Sequence, residues 1–169
     1  MIIRNLNELK DFAEKFASLL REGDVINLVG EMGAGKTTFT GKVCEYFSAY
    51  DSSSPTFAIV NIYEADKKIY HLDLYRFDDP DDILDIDFEE YFYPEDAITF
   101  LEWGENVEGY LPDGMISLKF DKVDENTREI TILDDSERGR EINEYFSHWY
   151  IYHDFYCNYL RWCGDLGRF

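Results

Sequence analysis

The chain has 169 residues, enough for one domain with a substantial core, and its 45% hydrophobic and 17% aromatic content excludes an intrinsically disordered protein. Acidic side chains outnumber basic ones 36 to 16, for a net charge of −20. With no Lys/Arg cluster anywhere, independent nucleic-acid binding and anionic-membrane binding are both disfavoured.

Leu6, Leu9, Ala13, Phe16 and Leu20 recur at three- and four-residue spacing and predict an amphipathic helix. Asn5 is placed to cap it, with Glu8 three residues on, and Gly23 follows its end. Residues 24–29 (DVINLV) form an apolar run of the kind buried in a parallel sheet. Gly30 to Thr37 then read GEMGAGKT, a complete phosphate-binding loop. Its glycines let backbone N–H groups turn inward on phosphate oxygens, and the helix predicted from Lys36 to about Ala49 adds its positive end. Glu31, Met32, Gly33, Ala34, Gly35, Lys36, Thr37 and Thr38 are thus the expected phosphate-binding residues, with Lys36 as a point charge on the β- and γ-phosphates and the Thr37 hydroxyl as a Mg²⁺ ligand.

Residues 55–63 and 68–76 read as two strands joined by a turn at 65–67, with Ile69, His71, Asp73 and Tyr75 on one face by alternation. The acids between 78 and 96 are read as helix-start and solvated-face charges. Ile98 to Trp103 (ITFLEW) is a further buried strand, residues 115–120 and 128–133 a late hairpin, and Ser136 the cap of a last helix. The fold expected is α/β: one P-loop NTPase-like domain with a mostly parallel central sheet, an added hairpin, and helices on both faces.

A phosphate loop alone binds nucleotide; hydrolysis also needs acids near the carboxyl ends of the adjoining strands. Asp73 and Glu102 meet that demand, because a carboxylate embedded in a strand is costly unless it is paired or metal-linked. Pairing with a backbone N–H or with an arginine such as Arg76 is the structural alternative. Ser54-Pro55-Thr56 reads equally as a segment sensing the γ-phosphate or as a turn fixing strand entry.

GEMGAGKTTF, SPTFAIVNIYE, YHLDLYRF and ITFLEW, followed by GYLP, together resemble the TsaE (YjeE) family over about residues 1–145. These are small P-loop ATPases of tRNA threonylcarbamoyladenosine biosynthesis. The resemblance implies ATP and Mg²⁺ as cofactors, with Thr37 and Glu102 on the metal and Asp73 serving hydrolysis or metal positioning. It also implies catalytic roles for Lys36, Asp73 and Glu102, and nucleotide-sensitive positions at Thr56, Trp103 and Arg128. The implied partners are TsaD-like and TsaB-like subunits of the tRNA threonylcarbamoyl transferase complex. Acting through partners, with no direct grip on tRNA, agrees with the charge of −20.

Residues 146–169 form an aromatic-rich C-terminal extension beyond the domain at 1–145. It is expected to be helical and packed on the same domain, with self-association or partner docking as alternatives. Its His148 and His153 are spaced poorly for a metal. The three cysteines lack metal-ligand spacing and fit a reducing compartment, and no signal peptide or membrane span is evident, so a cytoplasmic location is expected. The competing functions are a small-molecule kinase, a guanine-nucleotide switch and a nucleotide-bound adaptor. Neither an Arg-rich lid nor an Asn-Lys-x-Asp motif supports the first two.

Overall fold

The computed structural model describes residues 1–49 and 59–148. Its described elements are β1 (Ile2–Ile3), α1 (Leu6–Ala17), β2 (Val25–Val29), α2 (Lys36–Tyr46), β3 (Val60–Tyr63), β4 (Lys68–Asp73), α3 (Phe88–Phe92), β5 (Ala97–Glu102), β6 (Ile116–Lys122), β7 (Arg128–Ile132) and a last helix, α4, over 137–148. Two 3-10 segments, Pro80–Asp85 and Gly104–Tyr110, complete them. The strands form one sheet in the order β1-β7-β6-β2-β5-β4-β3. The central strands β6, β2, β5 and β4 run parallel, and antiparallel pairings finish both edges. The expected α/β architecture is therefore present, with the late hairpin (β6–β7) and the early one (β3–β4) on opposite sides of the parallel centre.

Side-chain alternation along the strands splits the core into two layers. Ile26, Leu28, Ile69, Ile98, Phe100 and Leu118 face α1, α2 and α4, where Phe12, Phe16, Phe39 and Phe146 pack ring against ring at centroid distances of 5.1–6.4 Å. Val25, Tyr70, Leu72, Ala97 and Leu101 face the other way, against Ile83, Phe92 and Val107 of the shorter helical segments. Helices thus cover both faces of the sheet.

The helix starts follow local chemistry. The Asn5 side chain accepts from the N–H groups of Asn7 and Glu8, while Glu8 reaches back to the Arg4 N–H and the Asn5 amide. Asp79 and Asp82 form a reciprocal capping box around Pro80, so these acids serve a helix start as the sequence indicated. Ser136 accepts from the Gly139 N–H at the start of α4. The Arg138 guanidinium then ties α4 to the loop before β2, meeting both Asp24 carboxylate oxygens at 3.0 Å and donating to the Leu19 carbonyl.

Some boundaries differ from the sequence reading. β4 stops at Asp73: the Leu74 N–H makes the last ladder bond, to the Glu102 carbonyl, and the Asp73 carboxylate then accepts the Tyr75 N–H, which turns the chain. Tyr75 is consequently off the strand face that His71 and Asp73 share; it is half exposed, with its ring 5.1 Å from that of Trp103. α2 ends at Tyr46, three residues short of Ala49, where Ser48 takes a left-handed conformation (φ 67°). α4 runs through 148 and buries Phe146. Residues 50–58, including Ser54, Pro55 and Thr56, and residues 149–169, the greater part of the extension with His153, lie outside the described residues.

Candidate functional site

β2 delivers the chain at its carboxyl end into the loop Gly30–Gly35, and α2 begins at Lys36. Gly30 has φ +148° and lies so close to β6 that an added Cβ would stand 2.4 Å from the Phe120 carbonyl oxygen. Gly33 (φ +76°) and Gly35 (φ +106°) instead face open space, with nothing within 4 Å of a Cβ position. The loop is therefore anchored at its root and leaves room over its middle, where backbone N–H groups can meet an anion. Met32 stands exposed at the tip and Ala34 is buried beneath it; the Glu31 and Thr38 side chains are exposed at the loop's two sides.

Lys36 is buried and folded against its own loop. Its Nζ donates to the Gly30 carbonyl at 2.5 Å and the Glu31 carbonyl at 3.2 Å, and lies 4.2 Å from the Trp103 ring centroid. Burial lowers the ammonium pKa, while the carboxylates of Glu102, Glu105 and Asp73 pull it the other way. Trp103 reaches this place because the chain after β5 turns through a left-handed residue, φ 63° and ψ 35°, which costs about 1–2 kcal/mol for a non-glycine.

The two strand acids meet at the mouth of the loop. Asp73 and Glu102 are opposite each other in the parallel β4–β5 register. Glu102 is buried, and its Oε2 accepts the Thr37 hydroxyl at 3.1 Å. Its Oε1 lies 2.9 Å from His71 Nε2, and His71 is itself buried. Asp73, half-buried, is fixed by the Tyr75 N–H at 3.1 Å. Lys36, Thr37, Asp73, Glu102, Trp103 and Arg76 all line one cleft of about 470 Å³. The partners of the strand acid Glu102 are thus Thr37 and His71, whereas the structural alternative raised for the strand acids was a backbone N–H or an arginine such as Arg76. Alternation had placed His71 on the same strand face as Asp73, yet it was passed over because its partner is on another strand.

Arg128 lies behind the loop. Its Nε donates to the Ala34 carbonyl at 3.0 Å and Nη2 to the Gly33 carbonyl at 3.3 Å, while Nη1 closes the β6–β7 turn on the Asp124, Glu125 and Thr127 carbonyls. It holds loop carbonyls outward, a contact the sequence did not indicate. Across the loop from the acids, a second cleft of about 730 Å³ opens between Asn5–Asn7, Phe120, Asn126 and Arg128, sharing Gly33, Ala34, Gly35 and Thr38 with the first.

The donor set suits Mg²⁺: a hydroxyl and two carboxylates, all hard oxygens, beside an anion cradle. Among the described residues no three His, Cys, Asp or Glu groups form a metal cage of their own.

The model of the family described as "Threonylcarbamoyl adenosine biosynthesis protein TsaE" matches residues 3–130, most of the chain. The chain belongs to the TsaE family. The family is P-loop-type and works in tRNA modification, and its role in tRNA threonylcarbamoyladenosine biosynthesis is the role this chain shares. The TsaE of Rickettsia felis is 32% identical over 146 residues, covering 85% of this chain and 84% of its own length. Those of Haemophilus influenzae (34%; 80% of this chain, 89% of that one) and Bacillus subtilis (35%; 75% and 80%) are similar to it at the same level. The crystal structure of Bacillus subtilis YdiB superposes with a TM-score of 0.73 at 28% identity, covering 88% of this chain and 93% of the other. Among the described residues no helix is long and apolar enough to cross a membrane.

Proposed function

We propose that this TsaE-family chain is a Mg²⁺-dependent ATP hydrolase whose nucleotide state governs its association with TsaD-like and TsaB-like subunits in the cytoplasm. The observation that carries the reading is the convergence of the Thr37 hydroxyl on Glu102 at 3.1 Å, at the open middle of the phosphate loop and beside Asp73.

In this reading the triphosphate lies over Gly33 and Gly35, and the nucleoside extends into the larger cleft that shares those residues. Lys36 exchanges the neutral Gly30 and Glu31 carbonyls for charged phosphate oxygens, which bond the ammonium directly. Thr37 and Glu102 hold Mg²⁺, with Asp73 beside them. When bound, the ion neutralises charge developing on the β- and γ-phosphoryl oxygens. Asp73, steadied by the Tyr75 N–H, orients the attacking water from the β4 side. Trp103 and Tyr75 wall the cleft and limit access of further solvent. Thr56 belongs to the nucleotide-sensitive segment. Isolated turnover is slow in this reading, and a partner completes the site. A net charge of −20 leaves contact with tRNA to those partners.

Calorimetry with ADP and Mg²⁺, followed by phosphate release with and without the two partner subunits, tests the reading. Lys36→Ala abolishes binding or turnover, whereas Asp73→Ala and Glu102→Ala reduce turnover more than binding. Wild-type ATPase kinetics in all three variants overturn it, and phosphate transfer to a nucleoside or sugar in place of water points to a kinase.

A further inference from the structure

We infer that His71 is a positioning residue that sets the orientation of the Glu102 carboxylate for the divalent ion; this rests on the Mg²⁺·nucleotide reading of the site. β4 and β5 are parallel neighbours with Asp73 opposite Glu102 and His71 opposite Phe100. Alternation sends His71, Asp73, Phe100 and Glu102 to the face that α2 covers, so His71 lies diagonally one step behind Glu102. There it is only 2% exposed and Glu102 only 4%. Polar groups so buried need hydrogen-bond partners, and these two partner each other, with Nε2 and Oε1 2.9 Å apart.

The other carboxylate oxygen is held from a different element. Thr37, the second residue of α2, donates to Oε2 at 3.1 Å. The carboxylate is thus gripped at both ends: by the sheet through His71 and by the helix through Thr37. When Thr37 turns its hydroxyl to an arriving ion, only the sheet-side bond remains to stop the carboxylate rotating about its last torsion. A carboxylate lacking that bond also leaves Oε1 buried without a donor, which favours rotation of the whole group away from the loop. Both the neutral Nε2–H tautomer and the imidazolium donate this bond, so the role needs no change of protonation. Partners behind a metal ligand commonly act this way, and their loss weakens metal binding about 10- to 100-fold.

A merely satisfied core histidine predicts a different outcome, and Mn²⁺ separates the two. The full chain is loaded with ADP, and Mn²⁺ affinity is read from the electron paramagnetic resonance signal of the free ion. His71→Gln carries an amide donor near the position of Nε2, His71→Asn carries the same donor too short to reach Oε1, and His71→Phe fills the space without a donor. The expected result is near-wild-type Mn²⁺ affinity for Gln and a loss of about 10- to 100-fold for Asn and Phe. ADP affinity measured in chelator stays unchanged in all three. Should Phe fail to fold, the Gln/Asn contrast gives the same reading. Equal Mn²⁺ affinity in Gln and Asn, whether intact or lost in both, overturns the inference. Failure of the wild-type ADP complex to bind Mn²⁺ overturns the Mg²⁺·nucleotide reading itself, and the inference with it.

Discussion

The three glycines in the loop should respond to alanine in opposite ways, and the structure gives the size of each response. Gly30→Ala places a methyl group 2.4 Å from a backbone oxygen of β6, in a conformation of φ +148° that L-residues avoid. The oxygen cannot step aside, because β6 is hydrogen-bonded between β2 and β7. Backbone strain of about 1–2 kcal/mol adds to an overpacking cost of about 1–3, less about 0.4–1 for the reduced entropy of the unfolded chain. The net is about 3 kcal/mol, or roughly a 6–12 °C drop in Tm for a chain of this size. Gly33→Ala and Gly35→Ala meet nothing within 4 Å, so only strain remains, about 1 kcal/mol and a Tm change of roughly 2–4 °C. Their new methyl groups instead occupy the space proposed for phosphates, and ADP affinity should fall about tenfold or more as N–H contacts of about 1.5 kcal/mol or more are lost. Differential scanning fluorimetry and calorimetric ADP titration on the three variants check this. A Tm for Gly30→Ala equal to that of Gly33→Ala, or undiminished ADP affinity in both Gly33→Ala and Gly35→Ala, refutes the division between root and cradle.

Lys36→Met should lower ADP affinity by about 1.5–3 kcal/mol, the size of a charge-assisted bond, in a calorimetric titration. Arg138→Ala should cost about 3 kcal/mol in urea unfolding, because it removes both guanidinium bonds from the Asp24 carboxylate, 9% exposed, and leaves it only the Arg21 N–H. Burial pushes the Cys44 thiol from 9.0 up to about 12. The unfolded chain therefore loses that proton first, so this group withdraws stability as the pH rises from about 9 towards 12. Urea midpoints between pH 8 and 10 should fall more steeply for the wild type than for Cys44→Ala.

Much of the site was legible because its chemistry is local. The GEMGAGKT spacing defines a loop whose amides, lysine and threonine are neighbours in the chain, and the structure keeps them in one cleft. Asp73 and Glu102 were legible for a second reason: both end apolar strands, and in a parallel sheet strand ends gather on one side. The caps at Asn5, Asp79 and Ser136 were equally local. Tyr75 was misplaced because a two-residue alternation continues on paper, whereas the chain bends where Asp73 takes the Tyr75 N–H.

What the sequence determined by itself, then, is the identity of the longer elements and of the groups carried on them, since periodicity, capping and loop chemistry act over a few bonds; the short β1, α3 and Gly104–Tyr110 segments were not read from it. Tertiary structure alone decided which groups touch. It put His71 against Glu102, Arg128 behind the Gly33 and Ala34 carbonyls, and Lys36 over Trp103. Each of these contacts joins segments 31 to 95 residues apart. Their partners are selected by strand order and register, which the packing of the whole sheet against its helices fixes and no short stretch of chain encodes.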